Sequence, residues 1–151
     1  MADAIEMASG ETTSAATERS SDRARAPIAT PRPTKRLALL SFGFKFGPPP
    51  TNYYFDVSFL KNPARDDRWD LFARVTPAMR EFVLDQPNCR RFIEATVPLL
   101  RVLLECDGDV RVGFGCNAGR HRSAILVEEI ARRLESDDVA IKVIHREESW
   151  L

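Results

Sequence analysis

The chain has 151 residues, the length of one domain of ordinary size, and its 22 basic and 22 acidic side chains cancel to a formal charge of zero. This balance gives no overall attraction to nucleic acid or to a membrane surface, although charges can still segregate into a local patch. No apolar run approaches the length of a transmembrane helix, and the N-terminus lacks the apolar core of a signal peptide.

Residues 1–34 are rich in Ala, Ser, Thr, Arg and Pro and contain almost no large apolar side chains. Such a segment cannot bury enough surface to offset the entropy lost on ordering, so we predict a disordered tail followed by a folded domain at 35–151. The domain opens with a buried strand at 37–40 that continues through 41–47, before three prolines forbid regular pairing. A second strand is predicted at 53–59, where the side chains alternate in the manner of a strand. Asp56 lies inside this strand, and a buried carboxylate needs a partner.

A long polar loop follows at 60–75, and such loops often carry functional residues. Thr76 and Pro77 fit the N-cap and first position of a helix at 78–85. A longer amphipathic helix is predicted at 88–106. We expect its apolar stripe to pack in the core, and the stripe consists of Phe92, Ala95, Leu99, Val102 and Leu103.

The last third of the chain predicts a strand at 110–114, a turn, a helix at 122–134 and a final strand at 139–144. Helical spacing places Ile125, Leu126, Ile130 and Leu134 on one face of that helix and Glu128, Glu129, Arg132 and Arg133 outside. The element order predicts an α/β fold, a three-layer-like sandwich with a partly parallel sheet and a strand–anion loop–helix unit.

The turn between this strand and helix reads G-C-N-A-G-R-H-R-S over residues 115–123. Its backbone N–H groups point at one spot, to which the helix adds the positive end of its dipole. Glycines can serve only to make a turn, and arginines at a helix start can simply be solvated. The convergence of a thiol, two arginines and a hydroxyl favours a phosphate site instead. The candidate ligand-binding residues are Cys116, Asn117, Ala118, Gly119, Arg120, His121, Arg122 and Ser123.

Cysteine and histidine usage argues against disulfides and metals. Cys89, Cys106 and Cys116 have no close pairing, which is typical of reduced thiols in a cytoplasmic protein. The first two are expected to act as small apolar side chains within helices. With only His121 and His145 available and no Cys/His cluster, we predict no metal site and no cofactor.

Residues 116–123 also match the C-x-x-G-x-x-R-S pattern of cysteine-dependent phosphatases. There, a Cys116 thiolate activated by the helix N-terminus would attack phosphorus while Arg122 cradles the phosphoryl oxygens. Gly115 stands where such enzymes usually carry histidine. The general acid would come from the polar loop, and its candidates are Asp66, Asp67 and Asp70, of which the last follows a tryptophan.

Four blocks of sequence together resemble the C-terminal domain of the RapZ family, the RNase adapter and nucleotide-binding proteins of bacteria. They are S-F-G-F-K-F-G at 41–47, F-D-V-S-F-L-K-N-P at 55–63, the turn at 115–123, and H-R at 145–146. The blocks occur in the family's order and at similar spacing. Four blocks are more specific than one C-x-x-G-x-x-R-S match, so we favour recognition over catalysis.

The resemblance implies a sugar-phosphate-binding fold that also binds small regulatory RNAs, senses glucosamine-6-phosphate and contributes to homo-oligomer assembly. It implies that Arg122 is the main charged partner of the phosphate, and that the domain does no chemistry. The positions it implies at the rim or in contact with RNA are Lys45, Asn62, Arg120, His145 and Arg146. Lys45 is equally explained as a solvated cation at a strand end.

The chain departs from the family pattern in three places. It contains no G-x-x-x-x-G-K-[ST] motif, which predicts a domain that stands alone without the family's P-loop domain and its ATP or GTP site. Ala64 follows Asn-Pro where the family commonly has a histidine of the ligand site. The basic C-terminal tail used for RNA is replaced by E-E-S-W-L at 147–151, which removes positive charge from any RNA contact.

Overall fold

The computed structural model of the protein describes residues 32–147. The predicted tail lies outside the described residues except for its last three positions. The strands are β1 (Lys35–Gly43), β2 (Tyr53–Asp56), β3 (Asp109–Cys116) and β4 (Val139–His145). The helices are α1 (Pro77–Leu84), α2 (Pro87–Cys106) and α3 (Arg122–Leu134), with short 3₁₀ helices at Phe44–Phe46 and Pro63–Arg65.

The four strands of this part of the chain form one sheet in the order β2-β3-β1-β4, and every neighbouring pair is parallel. Gly43 lies opposite Cys116, and Ser41 lies opposite His145. Because the strands are parallel, their carboxyl ends meet at one edge of the sheet, where ligands bind in open α/β folds. The predicted α/β class is confirmed.

The core lies between the sheet and the helices. Helices α2 and α3 both contact β1 and β3, and they also contact each other, so the described residues supply a sheet layer and one helical layer. Fully buried members of this core include Leu37, Leu39, Val112 and Phe114 from the strands and Ile93, Leu100, Ile125, Leu126 and Ile130 from the helices. Each such side chain stabilises the fold by about 1.5–3 kcal/mol relative to exposure. No helix within residues 32–147 has the length and apolar character needed to cross a membrane.

The predicted core stripe of α2 is wrong at Ala95, Leu99 and Val102, whereas Phe92 and Leu103 are partly buried and pack against the core. Leu99 and Val102 are 43% and 52% exposed, whereas the buried positions of the helix are Cys89, Ile93, Thr96, Val97, Leu100 and Leu104. The buried stripe contains a polar threonine and a thiol, and apolar residues lie on either side of it. The apolar pattern alone therefore predicted a stripe that is shifted from the buried face of the helix. Cys106 is exposed rather than packed. Burial raises the pKa of the Cys89 thiol to about 11.

Two strands are shorter than predicted. β1 ends at Gly43, whose carbonyl oxygen accepts a hydrogen bond of 3.0 Å from Arg146, and the chain turns into a 3₁₀ helix. β2 ends at Asp56. This carboxylate is exposed rather than buried, and it accepts a 2.8 Å hydrogen bond from the Ser58 N–H, which turns the chain away from the sheet.

Glu129 is predicted to lie on the outer face of α3, but only 9% of its surface is exposed. Its carboxylate accepts hydrogen bonds from Arg132 at 2.7 and 3.0 Å and from Arg133 at 2.7 Å, because these residues follow it by three and four positions on the helix. The hydrogen bonds from Arg132, more than the other contacts, hold the pKa of Glu129 at about 2.

Glu129→Gln is expected to lower the free energy of unfolding by about 1–2 kcal/mol at pH 7, since a partly buried charge-assisted network is lost. The pKa of Glu129 falls on folding from 4.5 to about 2, so the stabilisation is complete above pH 4.5 and is lost as the pH falls towards 2. Urea unfolding of both proteins between pH 7 and pH 3 measures this, with the exposed Glu94→Gln on α2 as the control. A wild-type advantage that stays constant down to pH 3 would contradict the assignment.

Candidate anion-binding site

The predicted anion turn lies at the carboxyl edge of the sheet, between β3 and α3. The end of β1 runs directly beside it, since the Lys45 N–H donates a 3.2 Å hydrogen bond to the Asn117 carbonyl oxygen. The turn is therefore held by backbone contacts with the neighbouring strand end as well as by its own helix.

Two glycines allow this close approach. Gly119 has a φ of +72°, and a Cβ built on it would lie 2.5 Å from the Gly43 nitrogen and 2.6 Å from the Phe42 carbonyl carbon. A Cβ on Gly43 would lie 2.6 Å from the Ala118 carbonyl carbon. The turn and the strand end thus pack backbone against backbone, which no residue with a side chain permits at these positions.

Arg122 is the buried cation of the site, with 7% of its surface exposed. Its Nη1 donates to the carbonyl oxygens of Ser58 at 2.8 Å and Leu60 at 3.1 Å, so the segment after β2 anchors one edge of the guanidinium. Its Nε is buried and has no hydrogen-bond partner among the described residues. An unsatisfied buried donor costs about 1–3 kcal/mol, and a bound anion would supply the missing acceptor.

Cys116 and Ser123 lie in contact beneath the turn. The Sγ and Oγ atoms are 3.3 Å apart, and both residues are buried. The hydroxyl is close enough to share a hydrogen with the sulfur.

His121 and Arg120 tie the turn to the polar loop. His121 is 5% exposed, and its Nε2 lies 2.8 Å from the Ala73 carbonyl oxygen. The carbonyl can only accept, so Nε2 carries the hydrogen. The Arg120 guanidinium lies 4.6 Å from the centre of the Phe72 ring. Both side chains fix the loop over the turn, a role that single-sequence reasoning missed.

Asn62 caps a short helix beside the turn and borders two cavities there. Its Oδ1 caps the 3₁₀ helix by accepting a 3.1 Å hydrogen bond from the Ala64 N–H. It borders a cavity of about 720 Å³ whose lining residues are Ser58, Leu60, Lys61, Asn62, Arg65, Asp66, Phe82, Asn117 and Arg122. A smaller cavity of about 50 Å³ adjoins the turn itself and is lined by Asn62, Ala64, Leu71, Cys116, Asn117, Ala118, Arg120, His121 and Arg122.

Three other predicted rim residues line neither cavity. Lys45 is exposed, with its ammonium 4.8 Å from the centre of the Phe46 ring. His145 contacts the Ser41 hydroxyl through Nδ1 at 2.7 Å. Arg146 donates to the carbonyl oxygens of Gly43 and Gly47. The last two residues therefore position the end of β1 instead of reaching the cavities.

Glu147 is a site residue that sequence reasoning missed. It is 6% exposed, and its Oε2 accepts a 3.1 Å hydrogen bond from the Gly43 N–H while its Oε1 accepts from Arg146. The carboxylate thereby supplies a hydrogen-bond acceptor to the end of β1, against which the turn packs. The sequence offered one signal, because Glu147 directly follows the H-R block.

The candidate general acids do not assemble around Cys116. Asp66 borders the larger cavity, but hydrogen bonds from Arg68 hold its pKa at about 2, so it is ionised at neutral pH. Asp70 is exposed and accepts a 2.6 Å hydrogen bond from the Phe72 N–H. Neither Asp67 nor Asp70 lines the two cavities at the turn. Residues 32–147 also hold no group of three His, Cys, Asp or Glu side chains suited to a metal ion.

Comparisons with known proteins agree on one family. The model of the RapZ C-terminal domain matches residues 35–149. A nucleotide-binding protein of Rubrobacter xylanophilus is 40% identical over an alignment of 121 residues, and the match covers 74% of this chain and 40% of that protein. Another from Corynebacterium jeikeium is 37% identical over 118 residues, with the same two coverages. The chain thus spans about 40% of the length of these curated relatives.

Proposed function

The chain belongs to the RapZ C-terminal domain family, and we propose that it binds a phosphorylated ligand at the turn between β3 and α3 without changing it chemically. The observation that carries this proposal is the buried, unpartnered Nε of Arg122 beside a cavity. The relatives' name, nucleotide-binding protein, also supports a phosphorylated ligand.

Three features of the turn favour a phosphate over a neutral group. The start of α3 supplies free N–H groups and a positive dipole end, and Arg122 supplies a buried full charge. Taking a guanidinium out of water is costly, and two carbonyl oxygens offset only part of that cost. A phosphate oxygen meeting Nε completes the partners of the guanidinium with a charge-assisted bond.

The cavity favours a small ligand, of the glucosamine-6-phosphate type that the family resemblance implies. Its volume of about 720 Å³ lies within the range of about 300–1,000 Å³ that is usual for small-molecule sites. An RNA backbone is the competing ligand, since Lys45 and Arg120 each lie over an exposed aromatic ring near the turn. We propose a regulatory role in which a sugar phosphate and RNA compete.

One contact favours a second candidate, a cysteine-dependent phosphatase. The 3.3 Å approach of Cys116 and Ser123 suits a thiolate nucleophile assisted by a hydroxyl. Such an enzyme also needs a protonated carboxyl group near the leaving oxygen. Asp66, the acid that borders the cavity, is held ionised by Arg68. Binding without catalysis therefore remains our proposal.

Cys116→Ser separates the two candidates. We expect the variant to bind glucose 6-phosphate or glucosamine 6-phosphate within about threefold of wild type, because oxygen replaces sulfur without removing Arg122 or the backbone donors. We also expect neither protein to hydrolyse p-nitrophenyl phosphate. Titration calorimetry and a colorimetric assay on the full chain measure both quantities. Hydrolysis that disappears in Cys116→Ser would establish the phosphatase, and wild-type protein that binds no phosphate compound would overturn both candidates.

A further inference from the structure

We propose that Phe82 is the surface on which the ring of a sugar phosphate stacks in the cavity of about 720 Å³. The inference rests on the function proposed above, because it assumes that the phosphate group occupies the turn beside Arg122. It narrows the ligand to sugar phosphates in the closed-ring form, a class that includes glucosamine 6-phosphate. Open-chain polyol phosphates of the same size and charge would lack this contact.

Phe82 is the only aromatic residue among the described residues that line this cavity. Leu60, the other large apolar lining residue, is 2% exposed and offers a ligand almost no surface. The remaining lining residues carry polar or charged side chains. Phe82 is partly buried and packs against the core, so its position on the cavity wall is well supported. The ring of Phe82 therefore supplies the aromatic surface that small-molecule sites commonly contain.

The polar loop holds the Phe82 ring in place. The Arg68 guanidinium lies 5.1 Å from the centre of the Phe82 ring, and the centre of the Trp69 ring lies 5.4 Å from it. Arg68 is fixed in turn, because it donates to both carboxylate oxygens of Asp66 at 2.8 and 3.0 Å. Neither Arg68 nor Trp69 lines the cavity, so these contacts orient the ring without occupying the part of Phe82 that borders the cavity. A ring that is already fixed loses little entropy when a ligand binds.

Gln86 links the backbone of Phe82 to the segment that anchors Arg122. Its Nε2 donates to the carbonyl oxygens of Phe82 and Lys61, both at 3.3 Å, and its Oε1 accepts a 2.7 Å hydrogen bond from the Lys61 N–H. The residue before Lys61 is Leu60, whose carbonyl oxygen accepts a hydrogen bond from Arg122 at 3.1 Å. Phe82 and Arg122 are thus joined through a short series of hydrogen bonds. A ligand whose phosphate is held by Arg122 therefore meets the aromatic ring in a fixed position.

A sugar ring suits this lining because its polar and apolar surfaces point in different directions. The C–H groups of a closed ring form an apolar face that can stack on an aromatic side chain. Its hydroxyls project from the edge, and Asn62 and Asn117 border the same cavity with amide groups that both donate to and accept from hydroxyls. An open-chain polyol phosphate has similar hydroxyls but no fixed apolar face. It also loses more conformational freedom on binding.

Titration calorimetry on the full chain compares glucose 6-phosphate with sorbitol 6-phosphate, its open-chain alcohol of equal charge. We expect the wild type to bind glucose 6-phosphate about tenfold more tightly. Phe82→Leu should reduce this preference to about threefold or less and leave the affinity for inorganic phosphate unchanged, because Arg122 and the turn are untouched. Phe82→Tyr keeps the ring and should keep the preference. Phe59→Leu is the matched control, since Phe59 is half-exposed and its ring contacts Phe92 outside the cavity.

The outcomes separate this inference from the proposed function. Equal binding of the two sugar compounds by the wild type overturns the stacking contact and leaves phosphate binding intact, as does an undiminished preference in Phe82→Leu. Loss of inorganic phosphate binding in Phe82→Leu also overturns it, because Phe82 would then support the turn itself. An equal loss of preference in Phe59→Leu overturns it as well, since the effect would not be specific to the cavity. Wild-type protein that binds none of the three compounds overturns both proposals.

Discussion

Arg122→Lys is expected to weaken binding of glucose 6-phosphate about 30- to 100-fold, a loss of about 2–3 kcal/mol. Lysine keeps the charge but offers a single donor group. It cannot hold the carbonyl oxygens of Ser58 and Leu60 and also reach the ligand as Nε does. Titration calorimetry measures the affinity, and thermal unfolding shows that the variant is folded.

Arg120→Lys is the matched control, because Arg120 lies two positions away in the same turn and stacks over the exposed Phe72 ring. Its substitution is expected to change glucose 6-phosphate affinity by less than about threefold. An equal loss in both variants would show that the effect is not specific to the buried Nε of Arg122, whereas no loss in either would show that the turn attracts phosphate by charge alone. Wild-type affinity in Arg122→Lys would show that the unpartnered Nε of Arg122 does not bind phosphate, and the proposed function would lose its main support.

Gly119→Ala is expected to lower the free energy of unfolding by about 3 kcal/mol or more and to abolish phosphate binding. The new Cβ would lie 2.5 Å from the Gly43 nitrogen and 2.8 Å from a Glu147 carboxylate oxygen, while the backbone stays at a φ of +72°. Backbone atoms cannot move aside as a flexible side chain would. The turn must therefore separate from β1, which moves the N–H groups that we propose bind the phosphate.

Gly47→Ala isolates the conformational part of that cost. Gly47 has a φ of +82°, but a Cβ there would meet nothing within 4 Å. Because its ψ is 155°, in a region that few residues except glycine adopt, alanine at this position is expected to cost about 1–3 kcal/mol. Urea unfolding of the two variants gives the comparison, and a Gly119→Ala that is no less stable than Gly47→Ala would refute the close packing of the turn.

Local patterns in the sequence predicted the elements that depend on neighbours along the chain. Thr76 accepts the hydrogen bond of a helix N-cap from Met79, as the Thr-Pro pair indicated. The glycine-rich turn joins a buried strand to an amphipathic helix, and Arg122 opens that helix as predicted. In each of these cases the physical cause lies within a few residues of the feature.

Features that depend on distant residues could not be predicted in the same way. His121 bonds to Ala73, and Glu147 bonds to Gly43, across 48 and 104 positions of the sequence. No periodicity marks such pairs, because each is created by the parallel order of the strands. The prediction of which α2 residues are buried was wrong for a related reason. Thr96 is polar but is buried in the core, because its surroundings in the folded protein decide its position.

Synthesis of the protein makes the turn before it makes the residues that support it. The end of β1 is held by Arg146 and Glu147, which are translated more than 100 residues after Gly43. Until these residues are synthesised, the end of β1 against which Gly119 packs lacks their hydrogen bonds, although the turn and Arg122 have already been made. Contacts of such long separation also slow folding. A nascent or truncated chain that lacks Arg146 and Glu147 therefore holds Gly119 and Arg122 without the hydrogen bonds that fix the end of β1 beside them.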